Sequence, residues 1–466
     1  MSVRELDFDS CYRAVASRDA RFDGRFYTAV TSTRIYCRPI CPARTPASRN
    51  VRFYRHAASA EAAGFRPCKR CRPELSPGDP GWDHRGDLVG RALRLIDEGV
   101  ADEGGVAKVA RRLHITERHL HRLFATEIGA GPLAVARTKR LLLAKQLLTE
   151  TGLSITDVAF AAGFGSVRQF NATMKETYGF TPGELRATAG RAVTDNTLTL
   201  RLHRREPYDA QALMGFLGSR AIAGLEHLDE TGYSRAVPGG TVTLTPAPGH
   251  VRLEVSLDDT RHLARVVARC RRLLDLDADP EAIVGALGET SLAPLVTARP
   301  GLRVPGAWDG FEVAVRAVVG QQISVAGART ILGRIVDRAG RPTGAQGLTR
   351  LFPTAAELLE ADLSGLGLTG RRVATLKALA LKVAQEEIDL DGAQEPGEAT
   401  AGLLEVPGIG PWTASYIALR ALRDPDAWPE GDLGLRRAMA CLGIPNDHIE
   451  RWRPWRAYAA LHLWSL

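Results

Sequence analysis

The chain has 466 residues, 45% hydrophobic and 24% charged, which is typical of folded protein, excludes a largely disordered chain and predicts three or four domains. The net charge of +8, carried mainly by arginine, favours phosphate contacts, although a surplus that serves only solubility would give the same charge. No apolar run approaches a membrane span, and residues 1–10 lack the apolar region of a signal peptide, so we expect a cytoplasmic protein.

Four of the seven cysteines form two close pairs in the first part of the chain. Three residues separate Cys37 from Cys41, and two residues separate Cys68 from Cys71. In a cytoplasmic protein, such pairs are typical of a tetrahedral four-thiolate zinc site, and the ion would hold together a module whose own core is thin. Spacing alone favours a purely structural ion. Four protein ligands leave no open position for water, which argues against a zinc-dependent nuclease.

The residues around these cysteines are unusually basic and make a more specific pattern. The runs Ile35-Tyr36-Cys37-Arg38-Pro39-Ile40-Cys41 and Gly64-Phe65-Arg66-Pro67-Cys68-Lys69-Arg70-Cys71 closely resemble the N-terminal domain of the Ada DNA-repair regulator, over roughly residues 7 to 75. The resemblance implies that Cys37 is both a zinc ligand and the acceptor of a methyl group from a DNA methylphosphotriester. Zinc would keep the sulfur deprotonated, and methylation would cancel one negative charge and strengthen DNA binding. The reaction would be stoichiometric, because a thioether is not readily reversed.

After a linker at Pro73 to Pro80, residues 87 to 187 contain two helix-turn-helix patterns. The first turn lies near Leu113 to Thr116, and the second pattern runs from Ile155 to Ser166, with Gly163-Phe164 after its turn. Apolar residues spaced three and four apart bury one face, and the helix after each turn offers polar side chains to a DNA major groove. The tandem pair resembles the AraC-family DNA-binding domain, with Gln169 where many members carry tyrosine. The expected DNA contacts are Arg118, His121, Arg122, Ser166, Arg168 and Gln169.

The chain then departs from the Ada pattern. An Ada protein would continue into an alkylguanine methyltransferase with a Pro-Cys-His-Arg centre, but no such tetrad occurs around Cys270 or Cys441. We therefore expect no repair of alkylated guanine O6. Residues 197 to 275 instead alternate as strands, for example at Val251 to Val255, with a helix at Met214 to Leu217 between them.

A glycine-rich stretch organises the last part of the chain. The run Pro407-Gly408-Ile409-Gly410-Pro411-Trp412-Thr413-Ala414 predicts a tight hairpin between two helices. Gly408 and Gly410 would adopt dihedrals closed to other residues and leave amides uncovered, so that the next helix could meet a phosphate with its N-terminus. An ordinary hairpin of two helices is the alternative. With Asp432 one helix later, the stretch resembles the helix-hairpin-helix of DNA glycosylases.

From the strand-rich segment to Leu466, the chain resembles alkylpurine DNA glycosylases of the AlkA type, which implies a small α/β domain followed by an all-helical catalytic domain. The resemblance makes Asp432, ahead of Asp424, Asp426 and Glu430, the carboxylate that stabilises an oxocarbenium-like sugar and supports attack by water. It also implies an aromatic pocket for a flipped, cationic base, although core packing is the alternative for such residues. The pocket residues are Trp412, Tyr416 and Trp464.

The same resemblance predicts further DNA contacts, namely Gly408, Gly410, Thr413 and Gln322. Gln322 occupies the position where the type enzyme inserts an apolar wedge into the vacated base stack. Because glutamine is polar, the identity of the wedge stays open, and Ile323 is the other candidate. The lyase members of the superfamily carry a lysine two residues after the last glycine of the hairpin. Here that residue is Trp412, and no lysine follows Gln385, so we expect a monofunctional glycosylase.

These interpretations predict a multidomain α+β protein. It would hold a small four-cysteine zinc α/β module (residues 1–76), an all-α tandem helix-turn-helix domain (84–190), a small α/β domain (196–275) and an all-α helix-hairpin-helix glycosylase domain (276–466). The expected function is methyl transfer to Cys37 with transcriptional regulation, together with excision of alkylated bases of the 3-methyladenine type. The alternative is a transcription regulator whose glycosylase half is inactive. One Zn²⁺ is the expected cofactor, alkylated and promoter DNA are the expected partners, and RNA polymerase is a further candidate.

Overall fold

The computed structural model describes residues 6–79, 88–187, 198–345 and 347–466. The chain divides into two compact units, Met1–Arg205 with Asp259–Ala268, and Glu206–Asp258 with Arg269–Leu466. The domain boundaries expected at residues 84, 190 and 196, the end of the linker at Pro80 and the strand start at Thr197 lie outside the described residues. Within those residues, no helix combines the length and the apolar character that crossing a membrane requires.

The first unit begins with a small α/β module. Its four strands lie in the order β3-β1-β2-β4, with β1 antiparallel to both of its neighbours and β2 parallel to β4. Two small apolar clusters support the sheet, one around Tyr36 and Phe65 and the other around Cys11 and Phe26. The elements are α1 (Phe8–Ser17), β1 (Tyr27–Val30), β2 (Ile35–Cys37), β3 (Val51–Tyr54), α2 (Ala57–Ala62) and β4 (Arg66–Pro67).

The remainder of this unit is mainly helical. The first predicted turn falls between the last residue of α4 and the first of α5, and Thr116 caps α5 by accepting a hydrogen bond from the His119 amide. The second turn, with Gly163 at φ 86°, separates α7 from α8, so both helix-turn-helix patterns are confirmed. The elements are α3 (Leu88–Asp97), α4 (Val100–Arg112), α5 (Glu117–Glu127), α6 (Pro132–Glu150), α7 (Ile155–Ala161), α8 (Val167–Tyr178), α9 (Pro182–Ala187) and β5 (Leu198–His203).

The second unit opens with helix α10 (Ala210–Ser219) and four antiparallel strands in the order β9-β8-β7-β6, as the alternating pattern predicts. The strands are β6 (Glu226–Asp229), β7 (Gly232–Val237), β8 (Gly240–Ala247) and β9 (His250–Leu257). Helix α11 (Leu263–Leu273) follows in the chain, with residues 263–268 in the first unit and residues 269–273 in the second. The other helices are α12 (Pro280–Leu287), α13 (Ala293–Ala298), α14 (Gly310–Val319), α15 (Val325–Ala339), α16 (Ala355–Glu360), α17 (Gly370–Ala384), α18 (Pro396–Leu404), α19 (Pro411–Ile417), α20 (Leu433–Cys441) and α21 (Arg456–Trp464).

Helix α14 lies at the centre of this unit, with nine of its ten residues buried. Buried charges join it to the sheet. Glu226 accepts hydrogen bonds from Arg235 at 2.7 Å and from Arg316 at 2.6 Å, and Arg235 also pairs with Glu312. Each charge therefore has a partner, which is the condition for burying an ion at tolerable cost. This arrangement fixes the sheet against the helix whose C-terminal end leads to the candidate active site.

Candidate metal centre and candidate active site

The topology of the small module brings the four predicted ligands together. Because β2 runs parallel to β4, with Tyr36 opposite Pro67, Cys37 and Cys68 leave the sheet at the same edge. The sulfur atoms of Cys37, Cys41, Cys68 and Cys71 all lie within 4.8 Å of one another. Four thiolates at such separations fit one tetrahedral zinc ion, as the cysteine spacing predicts.

The four sulfur atoms differ in their hydrogen bonds. The Arg38 amide donates to Cys71 Sγ at 3.3 Å, the Arg70 amide donates to Cys68 Sγ at 3.4 Å, and the Ala43 amide donates to Cys41. Across the part of the chain that the structure describes, no amide donates to Cys37. A hydrogen bond to a sulfur draws off electron density, and among the described residues the sulfurs of Cys41, Cys68 and Cys71 receive such a bond from an amide. Cys37 is also partly exposed, whereas Cys68 and Cys71 are buried.

A buried ion pair braces the loop that carries Cys37. The Arg38 side chain pairs with both carboxylate oxygens of Asp23 and donates to the Cys71 carbonyl at 3.2 Å. Its exposed fraction is only 7%. This arginine therefore spans from one ligand loop to the other. It also cannot serve as a phosphate contact, although it belongs to the basic region of the sequence.

The predicted groove contacts occupy the outer faces of the two recognition helices. Arg118, His121 and Arg122 are exposed on α5, while the buried face of that helix carries Leu120 and Phe124. Ser166, Arg168 and Gln169 are likewise exposed at the start of α8. The Ser166 hydroxyl already accepts the Gln169 amide at 3.2 Å, so this serine acts as a helix cap.

The glycine-rich hairpin joins α18 to α19 as expected, but its two glycines differ. Gly408 has φ 94°, and a Cβ there would lie 2.2 Å from Thr375 Oγ1. Gly410 has φ −97° and ψ 176°, an extended conformation that any residue can adopt, so the prediction of special dihedrals is wrong at this position. A Cβ at Gly410 would meet no atom within 4 Å. This glycine leaves the N-terminus of α19 uncovered.

A cavity of about 740 Å³ lies beside the hairpin within the second unit. Its lining includes Phe216, Ile323, Trp412, Tyr416, Asp432 and Trp464. Trp412 stacks on Tyr416 with ring centroids 5.4 Å apart, and Trp464 meets Tyr416 edge-on at 6.4 Å. The three predicted pocket residues and the predicted carboxylate thus share one cavity, which has the size of a small-molecule site.

Asp432 caps helix α20 and accepts three hydrogen bonds. Oδ1 accepts from the Leu435 amide at 2.8 Å and from Trp464 Nε1 at 3.1 Å, and Oδ2 accepts from Trp412 Nε1 at 2.7 Å. Both indoles of the pocket therefore hold the carboxylate with their N–H groups while they present their rings to the cavity. Of the rival carboxylates, Asp426 is paired with Arg453 and Arg456.

Arginines surround the Tyr416 phenol, which sequence patterns did not indicate. Arg420 Nη1 donates to the phenol oxygen at 3.2 Å, and the guanidinium groups of Arg220 and Arg420 lie 3.8 and 4.8 Å from the Phe216 ring. Burial alone would raise the pKa of Tyr416, but the positive charges of Arg420 and Arg220 outweigh it and lower that pKa. Because its oxygen accepts from Arg420, the phenol can direct its own proton into the cavity.

The loop between α14 and α15 is fastened to the hairpin. Gln321 Nε2 donates to the Gly408 carbonyl and to Thr413 Oγ1, each at 3.0 Å. The Thr413 side chain is buried, so it would meet DNA only through its amide. Gln322 is exposed at the loop tip with φ 56°, and Ile323 lines the cavity. Of the two wedge candidates, Gln322 is therefore exposed at the loop tip, whereas Ile323 lies at the cavity.

Known families match three segments of the chain. The metal binding domain of Ada matches residues 10–74, a helix-turn-helix domain matches residues 109–188, and the AlkA N-terminal domain matches residues 199–309. In fold, the chain is similar to 3-methyladenine DNA-glycosylase from Archaeoglobus fulgidus. That likeness has a TM-score of 0.50 at 24% identity, and it covers 57% of this chain and 96% of the other.

Two relatives extend these matches. The DNA-3-methyladenine glycosylase 2 of Escherichia coli (strain K12) is 33% identical over 276 residues, covering 56% of this chain and 95% of the relative. The probable bifunctional transcriptional activator/DNA repair enzyme AlkA of Mycobacterium tuberculosis is 47% identical over 477 residues, covering 98% of this chain and 96% of the relative. The chain therefore belongs to the AlkA family of bifunctional transcriptional activator/DNA repair enzymes, with an Ada-type zinc module at its start.

Proposed function

We propose that this protein senses DNA alkylation, regulates transcription in response and excises alkylated bases. The zinc module accepts a methyl group from a DNA methylphosphotriester, the helix-turn-helix region binds promoter DNA, and the C-terminal half releases bases of the 3-methyladenine type. One observation supports the excision activity most directly. The Asp432 carboxylate accepts hydrogen bonds from two indole N–H groups beside one aromatic cavity. We assign the activities to residues 1–76, 84–190 and 196–466 of a cytoplasmic protein.

In the methyl transfer, the Cys37 sulfur attacks the methyl carbon of the triester. The S–C bond forms as the C–O bond to the phosphate breaks, and a phosphodiester anion leaves. A zinc ion bound to the four cysteines supplies the positive charge that keeps their sulfurs deprotonated at neutral pH. The exposure of Cys37 and the amide donors on Cys41, Cys68 and Cys71 support Cys37 as the acceptor. The product is a stable thioether, so each molecule reacts once.

Peptide mass mapping after exposure to methylphosphotriester DNA tests this assignment. We expect one added methyl on Cys37 and none in a Cys37→Ser variant. Cys441→Ser is the matched control, because Cys441 is exposed but lies outside the zinc module, and it should react like the wild type. A methyl group found only on Cys11, Cys270 or Cys441 would refute the assignment.

In the excision reaction, the base leaves and water attacks the anomeric carbon. The Asp432 carboxylate offsets the positive charge that develops on the sugar, and the aromatic cavity holds the displaced base by stacking and cation–π attraction. The chain has no lysine after Lys382 that could form a Schiff base in the hairpin, so the product is an intact strand with an abasic site. Borohydride trapping tests this point. We expect no protein–DNA adduct and strand breakage only after alkali or heat, and a trapped adduct would contradict hydrolysis.

An inactive glycosylase half is the rival proposal. The three donors on Asp432 and the stacked aromatic residues support an active site, since a remnant need not keep them together. Regulation would further require a contact with RNA polymerase from the promoter-bound protein. Footprinting with and without the polymerase on one promoter distinguishes regulation from DNA binding alone.

A further inference from the structure

Helix α6, the connection between the two helix-turn-helix motifs, is buried on more than one side. It contains 19 residues, and eleven of them are buried, including the polar residues Thr138 and Lys145, each only 2% exposed. A helix at the edge of a domain normally buries one stripe. Neighbours must therefore cover a second side of α6.

The second side faces the zinc module. Thr138, Leu142, Lys145 and Thr149 follow one another at intervals of four, three and four residues, which places them on one face of the helix. We call these four residues the zinc-facing stripe. Leu142 packs against the apolar cluster around Tyr36 and Phe65, and Thr149 Oγ1 accepts from Arg72 Nη2 at 2.8 Å.

Lys145 makes the most direct contact with a metal ligand. Its ammonium group donates to the Cys68 carbonyl at 3.0 Å and to Glu74 Oε2 at 2.7 Å. The side chains of Lys145 and Glu74 are 2% and 0% exposed. A buried ammonium group is retained at low cost only where its partners are fixed, so this lysine holds the Cys68 end of the ligand loop in one place.

The other ligand segment is connected to the same face of α6. Glu61 accepts from Thr138 Oγ1 at 2.6 Å and from the Tyr36 hydroxyl at 3.0 Å. Tyr36 immediately precedes Cys37 in strand β2. Both halves of the four-thiolate site are thus fastened to the helix that separates the two recognition helices.

We infer that the zinc-facing stripe transmits the methylation state of the thiolate site to the DNA-binding helices, with Lys145 as the positioning residue. This inference rests on the proposed methyl transfer. Methylation replaces a charged sulfur by a neutral one and changes the forces on both ligand segments. The contacts of the stripe pass that change to the rest of α6. Coupling free energies are reciprocal, so promoter DNA must favour the methylated state of the thiolate site over the unmethylated state by the same free energy by which methylation favours promoter binding.

A route through contacts differs from a purely electrostatic one in its response to salt. Attraction between separated charges is screened over a Debye length of about 8 to 10 Å at moderate ionic strength. Buried contacts are screened far less. The ratio of promoter affinities for methylated and unmethylated protein should therefore keep a part that does not vary with salt, and Lys145→Met should remove that part.

The experiment measures promoter affinity at several salt concentrations for the full chain, with and without methylation of Cys37 confirmed by mass. Allosteric couplings typically amount to about 5- to 150-fold. We expect methylation to raise affinity within this range for the wild type and for Lys382→Met, which removes a charge in the second unit. For Lys145→Met, the salt-independent part of the affinity ratio should vanish, and Lys145→Arg should restore some of that part. An undiminished ratio in Lys145→Met would overturn the inference.

Two milder variants guard against misfolding of Lys145→Met. Thr138→Val and Thr149→Val keep the shape of the stripe but lose its hydroxyl groups, and each should lower the salt-independent ratio. Ratios equal to the wild-type value in both variants would also overturn the inference. A different result would refute the proposed methyl transfer, namely the absence of a methyl group on wild-type Cys37 after exposure to methylphosphotriester DNA. In that case alkylation of Cys37 by methyl iodide supplies the modified state, and the same comparison of affinities decides.

Discussion

Each of the two indoles that hold the Asp432 carboxylate makes two kinds of contact, one with its ring and one with its N–H group. Each indole offers its ring face to the cavity and its N–H to one carboxylate oxygen, at 2.7 Å for Trp412 and 3.1 Å for Trp464. In the proposed excision, a carboxylate fixed in this way would be preorganised toward the charge that develops on the sugar. Stacking and positioning are separable, because phenylalanine keeps a ring but lacks the N–H.

A double-mutant cycle separates the two roles at Trp412. We expect Trp412→Phe to lower the single-turnover excision rate by about 10-fold, the effect of losing one charge-assisted hydrogen bond. In the Asp432→Asn background the same change should have a much smaller effect, since its route through the carboxylate has been removed. Equal effects in both backgrounds would show that Trp412 acts through stacking alone.

The Tyr416 phenol predicts a dependence on pH. Its pKa is lowered below the ordinary tyrosine value of about 10, so it loses its proton, and with it the ability to donate into the cavity, at a lower pH than a free tyrosine. Excision by the wild type should therefore decline on the alkaline side below about pH 10, the ordinary tyrosine value. Rates of Tyr416→Phe measured over the same range should lack that decline. A shared decline would assign it to another group.

At the scale of elements, the two hairpin glycines offer a matched pair of substitutions. Gly408→Ala would place a methyl group in the left-handed region and against Thr375 Oγ1, and should destabilise the second unit by about 1–3 kcal/mol. Gly410→Ala meets open space in an extended conformation and should change stability by less than about 1 kcal/mol. Thermal unfolding of both variants checks this difference. Equal losses of stability in the two variants would contradict the predicted difference between the two glycines.

Local patterns predicted the elements better than they predicted the cavity. Both helix-turn-helix turns were placed correctly, because capping residues and apolar spacing act within a few residues of each other. Asp432 and its aromatic neighbours followed from a family resemblance. Phe216 and Arg420 reach the same cavity from elements far apart in the sequence, so no local pattern could indicate that they meet. The extended backbone at Gly410 was missed because the Gly-Ile-Gly run does not distinguish its two glycines.

At the scale of the whole molecule, the two proposed chemistries would use separate residues in separate units. Removing zinc with a chelator should abolish methyl transfer to Cys37. The excision rate should stay within about twofold of its value with zinc, because effects at sites that share no contact are nearly independent. Asp432→Asn should do the reverse. The measurements are the mass of the Cys37 peptide and the amount of free base from one sample. Loss of excision on chelation would show that the zinc module is needed for the second activity.

In the proposed function, one chain both records methylation and excises alkylated bases. The most direct test of this proposal incubates the pure full-length protein with methylated duplex DNA and identifies the free bases that appear. We expect the wild type to release alkylated purines from strands that stay intact. Asp432→Asn should bind the same DNA but release bases roughly 100- to 1000-fold more slowly, the loss expected when a preorganised electrostatic group is removed. Release by Asp432→Asn at a rate near the wild-type value would contradict the assignment of Asp432, and no release by the wild type would contradict the glycosylase itself.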